Sequence, residues 1–171
     1  MERVQVDIIG ISTNPASAGA YALILREIDG SRRLPIIIGA FEAQAIALEL
    51  EGIRPPRPMT HDLLASVIKA LGRTLEEVRI VALRDNVFHA ELRLDNGVVI
   101  DSRSSDAIAL ALRTGAKIMG ADDVIEACAV AVPDEDEDEV EKFREFLDTI
   151  SPEDFTISGD DLGGESRPPS S

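Results

Sequence analysis

Tryptophan is absent from these 171 residues, tyrosine occurs once, and aromatics make up only 4%. A core must therefore be assembled from Ile, Val, Leu and Ala, and with 44% apolar residues there is enough of them for one body plus a short extension. The single cysteine, Cys128, excludes an intramolecular disulfide framework and an all-cysteine zinc site. No apolar run approaches the roughly 20 residues of a membrane span. The opening Met1-Glu2-Arg3 lacks the basic n-region and apolar h-region of a signal peptide. The expectation is a cytoplasmic chain with no membrane contact. Basic residues are scarce too, 17 against 32 acidic, for a net charge of −15. That argues against a broad basic surface for nucleic acid, because such binding depends on neutralised phosphates.

The acidity is uneven. Residues 134–171 hold 14 acids and 3 bases, net −11, which leaves 18 and 14, net −4, for residues 1–133. The sequence thus divides into a nearly balanced domain, 1–133, and an acidic C-terminal extension, 134–171. Asp134 to Glu139 is an unbroken acidic run, which repels itself and stays solvated. After it, Val140, Phe143, Leu147 and Ile150 recur at helical spacing with Phe146 beside them, predicting a short amphipathic helix over about 139–150. Such a helix packs on its own body or a sister subunit, or docks another protein through residues 140–150. Ser158 to Ser171, rich in Gly, Pro, Ser and acid, reads as a disordered tail.

Within the domain, Val4, Val6 and Ile8 alternate with polar residues and predict a strand. Ser12 to Gly19 reads as a turn-rich loop, Tyr21 to Ile28 as a second strand, and Asp29-Gly30 as a hairpin signal. Leu34 to Ile38 follows as a strand apolar enough for burial on both faces. Helices are predicted over about Ala40 to Glu51, from an N-cap at Thr60 to about Leu71, and from about Ser105 to Arg113, each followed by glycine. The prolines of Arg54-Pro55-Pro56-Arg57-Pro58 forbid helix between the first two. Strands at Val78–Leu83, Val87–Leu94 and Val98–Ile100, a short strand at Lys117–Met119 and a short helix at Asp122–Ala127 complete the domain. Hairpins dominate, so the fold class is α+β, with a mixed, mainly antiparallel sheet packed with helices. Ile38, Ala45, Ile46, Ala47, Leu48 and Leu50 match Ile100, Ala107, Ile108, Ala109, Leu110 and Leu112 at a constant offset of 62, which is either chance similarity of Ala/Leu-rich helices or a duplicated βββα unit.

Three turns carry the side chains with chemistry. In Arg57-Pro58-Met59-Thr60-His61-Asp62, His61 and Asp62 fall in the first turn of a helix, whose positive end disfavours imidazolium and favours carboxylate. His61 can then act as a base or metal ligand, or the group can be plain capping. In Asp101-Ser102-Arg103-Ser104-Ser105-Asp106, helix-start N–H groups and Arg103 can hold a phosphate, and the carboxylates a hard cation, or the turn can be a capped polar loop. Glu42, in Gly39-Ala40-Phe41-Glu42, occupies the equivalent turn of the first half. His89 alternates with Glu91 and Arg93 on a polar strand face and reads as a surface residue. No Walker motif, dinucleotide fingerprint, zinc-finger spacing or nucleophile elbow is present.

Taken in order, Leu34-Pro35-Ile36-Ile37-Ile38-Gly39, Glu42-Ala43, Pro55-Pro56-Arg57-Pro58, Thr60-His61-Asp62-Leu63, Asp101-Ser102-Arg103 and Ser105-Asp106-Ala107-Ile108 resemble the bifunctional nuclease (BFN) domain, over roughly residues 3 to 130. The resemblance implies a compact α+β domain of bacterial type, usually a homo-oligomer (dimer or trimer), with members that cleave both DNA and RNA. Ser104 stands where that family usually has proline. An enzyme acting on DNA cannot use a 2′-hydroxyl as nucleophile, so the attacking group is most simply an activated water. The candidate catalytic residues are His61, Asp62, Asp101 and Asp106, with Arg57, Arg103 and Ser105 as phosphate contacts. A divalent cation, Mg or Mn, would be held by Glu42, Asp101 and Asp106. This requires the three turns to converge, with His61 within ~10 Å of Asp101 or Asp106. The alternatives are a non-catalytic oligomeric interaction or regulatory module, supported if the arginines are scattered and paired with acids, and a small-anion sensor at the Arg103 turn.

Overall fold

The computed structural model describes residues 2–13 and 20–131. The amphipathic helix expected at 139–150, the disordered tail and residues 14–19 of the expected loop lie outside the described residues.

Alternation of apolar and polar residues produces β1 (Arg3–Thr13), β2 (Tyr21–Glu27) and β3 (Arg32–Ile38), an antiparallel meander that passes into α1 (Ala40–Leu50). β1 is longer than expected: Ser12 and Thr13 pair with Ala22 and Tyr21 rather than belonging to a loop. α2 (Thr60–Ala70) follows the proline loop. A second antiparallel meander, β4 (Leu75–Arg84), β5 (Val87–Leu94) and β6 (Val99–Arg103), then passes into α3 (Ser104–Thr114). β7 (Lys117–Ala121), α4 (Asp122–Cys128) and the two-residue β8 (Val130–Ala131) complete the described chain. The strands form one eight-stranded mixed sheet, ordered β6-β5-β4-β7-β1-β2-β3-β8, in which only the β4–β7 pairing is parallel. The fold is α+β, and the two halves of the sequence echo are the two βββα units flanking β7.

Pairing leaves one sheet face apolar. Leu23, Leu25, Leu34, Ile36, Val78, Ile80, Ala90 and Leu92 are buried there, and α3 closes over them with Ile108 and Leu110 fully enclosed. Matching positions of the echo, Ile46 on α1 and Ile108 on α3, are both completely buried, and α1 and α2 each pack against α3. β3 departs from its expected burial on both faces: Leu34, Ile36 and Ile38 point inward, whereas Ile37 is 58% exposed. Where the described helices cover one face of the sheet, a strand must alternate even when every residue is apolar. On α2, Met59 rather than Thr60 is the N-cap, and its N–H donates to Asp62 Oδ2 at 2.9 Å.

A candidate active site at three helix starts

The sheet order brings the first turns of α1, α2 and α3 together. Asp106, in the first turn of α3, is the common partner: Arg103 Nε donates to its Oδ2 at 2.6 Å, and His61 Nε2 lies 2.9 Å from its Oδ1. Arg103 also reaches Glu42 on α1, NH2 to Oε1 at 3.0 Å. The chain Glu42–Arg103–Asp106–His61 thus joins the three helix starts, where their positive ends favour carboxylates. Gly39 makes room for this arrangement, since a Cβ there would sit 2.4 Å from Glu42 Oε2.

Burial pushes the Asp106 carboxyl up, but the hydrogen bonds from Arg103 and His61 outweigh it and hold the group below the usual aspartate range. The bond to Asp106 in turn raises the Arg103 guanidinium. An ionised carboxylate only accepts, so His61 Nε2 carries the proton donated to Asp106, and in the neutral ring Nδ1 is left as the basic nitrogen. His61 is largely enclosed, its side chain 14% exposed.

Asp62 faces a different partner. Arg113, from the last turn of α3, donates through Nε to Asp62 Oδ1 at 2.7 Å. Its other nitrogens donate to Ala45 O and Ala109 O, both at 2.8 Å. Burial raises the Asp62 carboxyl, while the Met59 N–H and the Arg113 guanidinium lower it further, leaving it below the ordinary value. Arg113 was visible in the sequence only as one of many arginines. Its role as a buried staple between α3, α2 and α1 depends on contacts 51 and 68 residues distant.

Not all expected site residues converge. Asp101 is exposed on the edge strand β6, in register with Glu91. Ser105 is buried beneath the start of α3. Arg57 is exposed on the proline loop and has no ion-pair partner among the described residues. Glu42 and Asp106 close on Arg103 rather than on an open position, and no group of three or more His, Cys, Asp or Glu among the described residues is arranged to hold a metal ion. A guanidinium already occupies both carboxylates and offsets one of their two charges, so this donor set does not fit a resident cation.

A family model for the bifunctional nuclease domain matches residues 23–133, a stretch that contains every element of the network. The chain belongs to the bifunctional nuclease domain family. Two proteins of Mycobacterium tuberculosis, "Uncharacterized protein MT1877" of strain CDC 1551 / Oshkosh and "Uncharacterized protein Rv1829" of strain H37Rv, are each 46% identical over 160 residues, covering 88% of this chain and 97% of theirs. In this bifunctional nuclease domain the Thr60-His61-Asp62 and Arg103–Asp106 segments lie far apart in sequence and meet through α2 and α3. No helix among the described residues is long and apolar enough to cross a membrane.

Proposed function

We propose that the protein is a phosphodiesterase of nuclease type, cleaving DNA and RNA with a water that His61 activates. The observation that carries this is the 2.9 Å contact between His61 Nε2 and Asp106. A carboxylate that fixes one ring nitrogen as a donor selects the tautomer and orients the other as a base. In the reaction, water oxygen forms a bond to phosphorus while its proton passes to His61 Nδ1. The P–O bond to the departing alkoxide breaks, and that oxygen takes a proton from solvent. Asp106 acts as a positioning residue that steadies the imidazolium, and Arg103 keeps Asp106 ionised. Arg57, on a loop stiffened by Pro55, Pro56 and Pro58 and without an ion-pair partner among the described residues, is the cation that meets the phosphate.

The test is cleavage of labelled single- and double-stranded DNA and RNA, with Mg²⁺, Mn²⁺ or EDTA. Wild type is compared with folded His61→Ala and Asp106→Asn variants. General base catalysis predicts a loss of about 10²–10⁴-fold in His61→Ala. Equal activity in all three proteins overturns the assignment.

One observation favours the module reading. Arg54, Arg73, Arg79, Arg93, Arg103 and Arg113 each pair with an acid. Meanwhile α2 buries none of its residues and exposes Leu63, Val67 and Leu71 along one ridge. A homo-oligomer, dimer or trimer, would cover that ridge and is compatible with catalysis. Absence of cleavage under every condition, in a protein that assembles, selects the module.

A further inference from the structure

A cleft of about 800 Å³ opens on the other flank of α2. Its walls are the proline loop (Ile53, Pro55, Pro56, Pro58), the start of β4 and one face of α2. Its floor contains the Arg113–Asp62 pair, which is internally neutral and has an Arg113 side chain only 5% exposed. The rim is cationic. Arg54 is 83% exposed and only loosely paired, 4.0 Å from Glu49. Arg73 stands 3.6 Å from Asp95, and Lys69 has no ion-pair partner among the described residues. Three exposed cations thus stand against two acids, Glu49 and Asp95, a local excess of one positive charge in a body whose overall balance is negative. Such a local inversion of sign focuses anions into a concave site. The volume falls within the ~300–1,000 Å³ of small-molecule and cofactor sites.

We infer that this cleft binds a single-stranded nucleic acid segment, with Arg54, Lys69 and Arg73 on successive phosphates and a base against the Ile53 and proline wall. The inference deepens the nuclease reading by naming where the substrate strand lies, and rests on it for the substrate class. An unpaired strand can turn its bases against that wall, whereas a duplex keeps them stacked inside. With Arg54, Lys69 and Arg73 on phosphates and Arg113 held by Asp62, no lining cation is left to read a base edge, so binding is independent of sequence and strongly dependent on salt.

The test is fluorescence anisotropy with a labelled, uncleavable phosphorothioate oligothymidylate of ten nucleotides, titrated with the full chain across a salt series. Wild type should show a log K against log salt slope near −2, from three contacts at about −0.7 each. Lys69→Ala combined with Arg73→Ala should weaken binding about tenfold and lower the slope by about 1.4. Lys69→Arg with Arg73→Lys should restore the slope. Arg84→Ala, an exposed arginine at the opposite end of β4, should bind as wild type. Equal affinity and slope in the double alanine variant, or no binding by wild type at low salt, overturns the inference. Binding that maps to the cleft in a protein with no cleavage activity would retire the nuclease reading and leave the cleft standing. Cleavage with KM and slope indifferent to Lys69 and Arg73 would do the reverse.

Discussion

At the scale of single residues, Arg113 and Asp106 carry separable loads. Arg113 is almost wholly enclosed and spends its guanidinium on Asp62 and two carbonyls. Arg113→Ala should cost about 3 kcal/mol in urea unfolding, since it strands a partly buried carboxylate and two acceptors. Arg113→Lys should recover only part, because an ammonium cannot reproduce the fork. Asp106 and Asp62 are both held below the ordinary aspartate value, so their stabilisation is complete above that value, about pH 3.9, and is lost as pH falls through the folded one. Melting temperature should be level from neutrality to about pH 5 and fall below about pH 4. The gap between wild type and Asp106→Asn should narrow over the same interval; a constant gap down to about pH 3 would mean that charge on Asp106 is irrelevant to stability. The sequence shows why these residues sit at helix starts, since His61, Asp62, Arg103 and Asp106 all lie beside local capping signals. It does not show which helix start meets which, and Arg113, a basic residue in a last helical turn, has an adequate local explanation that conceals its long-range one.

At the scale of elements, strands and helices follow from short-range pattern, and the departures come from tertiary context. β3 reads as a doubly buried run because all of Leu34 to Ile38 is apolar, yet exposed Ile37 lies on a sheet face that no helix among the described residues covers. β8 is two residues long and exists only by pairing with Arg32 and Arg33, so no periodicity announces it. The echo between α1 and α3 gives a test: Ile46→Ala and Ile108→Ala, both at fully buried positions, should each cost about 2–5 kcal/mol by denaturant titration. On α2 the expectation inverts. Leu63→Ser with Val67→Ser should change monomer stability by only about 0.5 kcal/mol but reduce the assembly size seen by sedimentation. An unchanged sedimentation coefficient would assign that ridge to something other than self-association.

At the scale of the whole molecule, charge and topology divide the work. Residues 1–133 carry a small share of the net charge, and the outward sheet face has pairs such as Arg26–Asp7 and Arg79–Glu77. Among the described residues an approaching polyanion therefore finds few unengaged cations, Arg57 on the proline loop and Lys69 on the rim of the α2 cleft beside Arg33, Arg84 and Lys117 elsewhere. Raising salt should weaken any nucleic acid binding steeply while leaving the melting temperature nearly constant, because exposed pairs contribute little to stability. Parallel decline of both would place the salt-sensitive contacts in the fold itself.

The sheet order has a further consequence, for synthesis. β1 and β4 never pair with each other; β7 lies between them, antiparallel to one and parallel to the other. Until Lys117 to Ala121 has left the ribosome, the nascent chain consists of two meanders, each with two bare edges, and β7 closes one edge of each, β1 and β4. Open edges of that kind are templates for pairing with other chains. The wait is short once α3 has emerged, because only Gly115 and Ala116 separate that helix from the closing strand. A ribosome paused within α3 would hold the chain in its most association-prone form, and five further strand residues would cover the β1 and β4 edges.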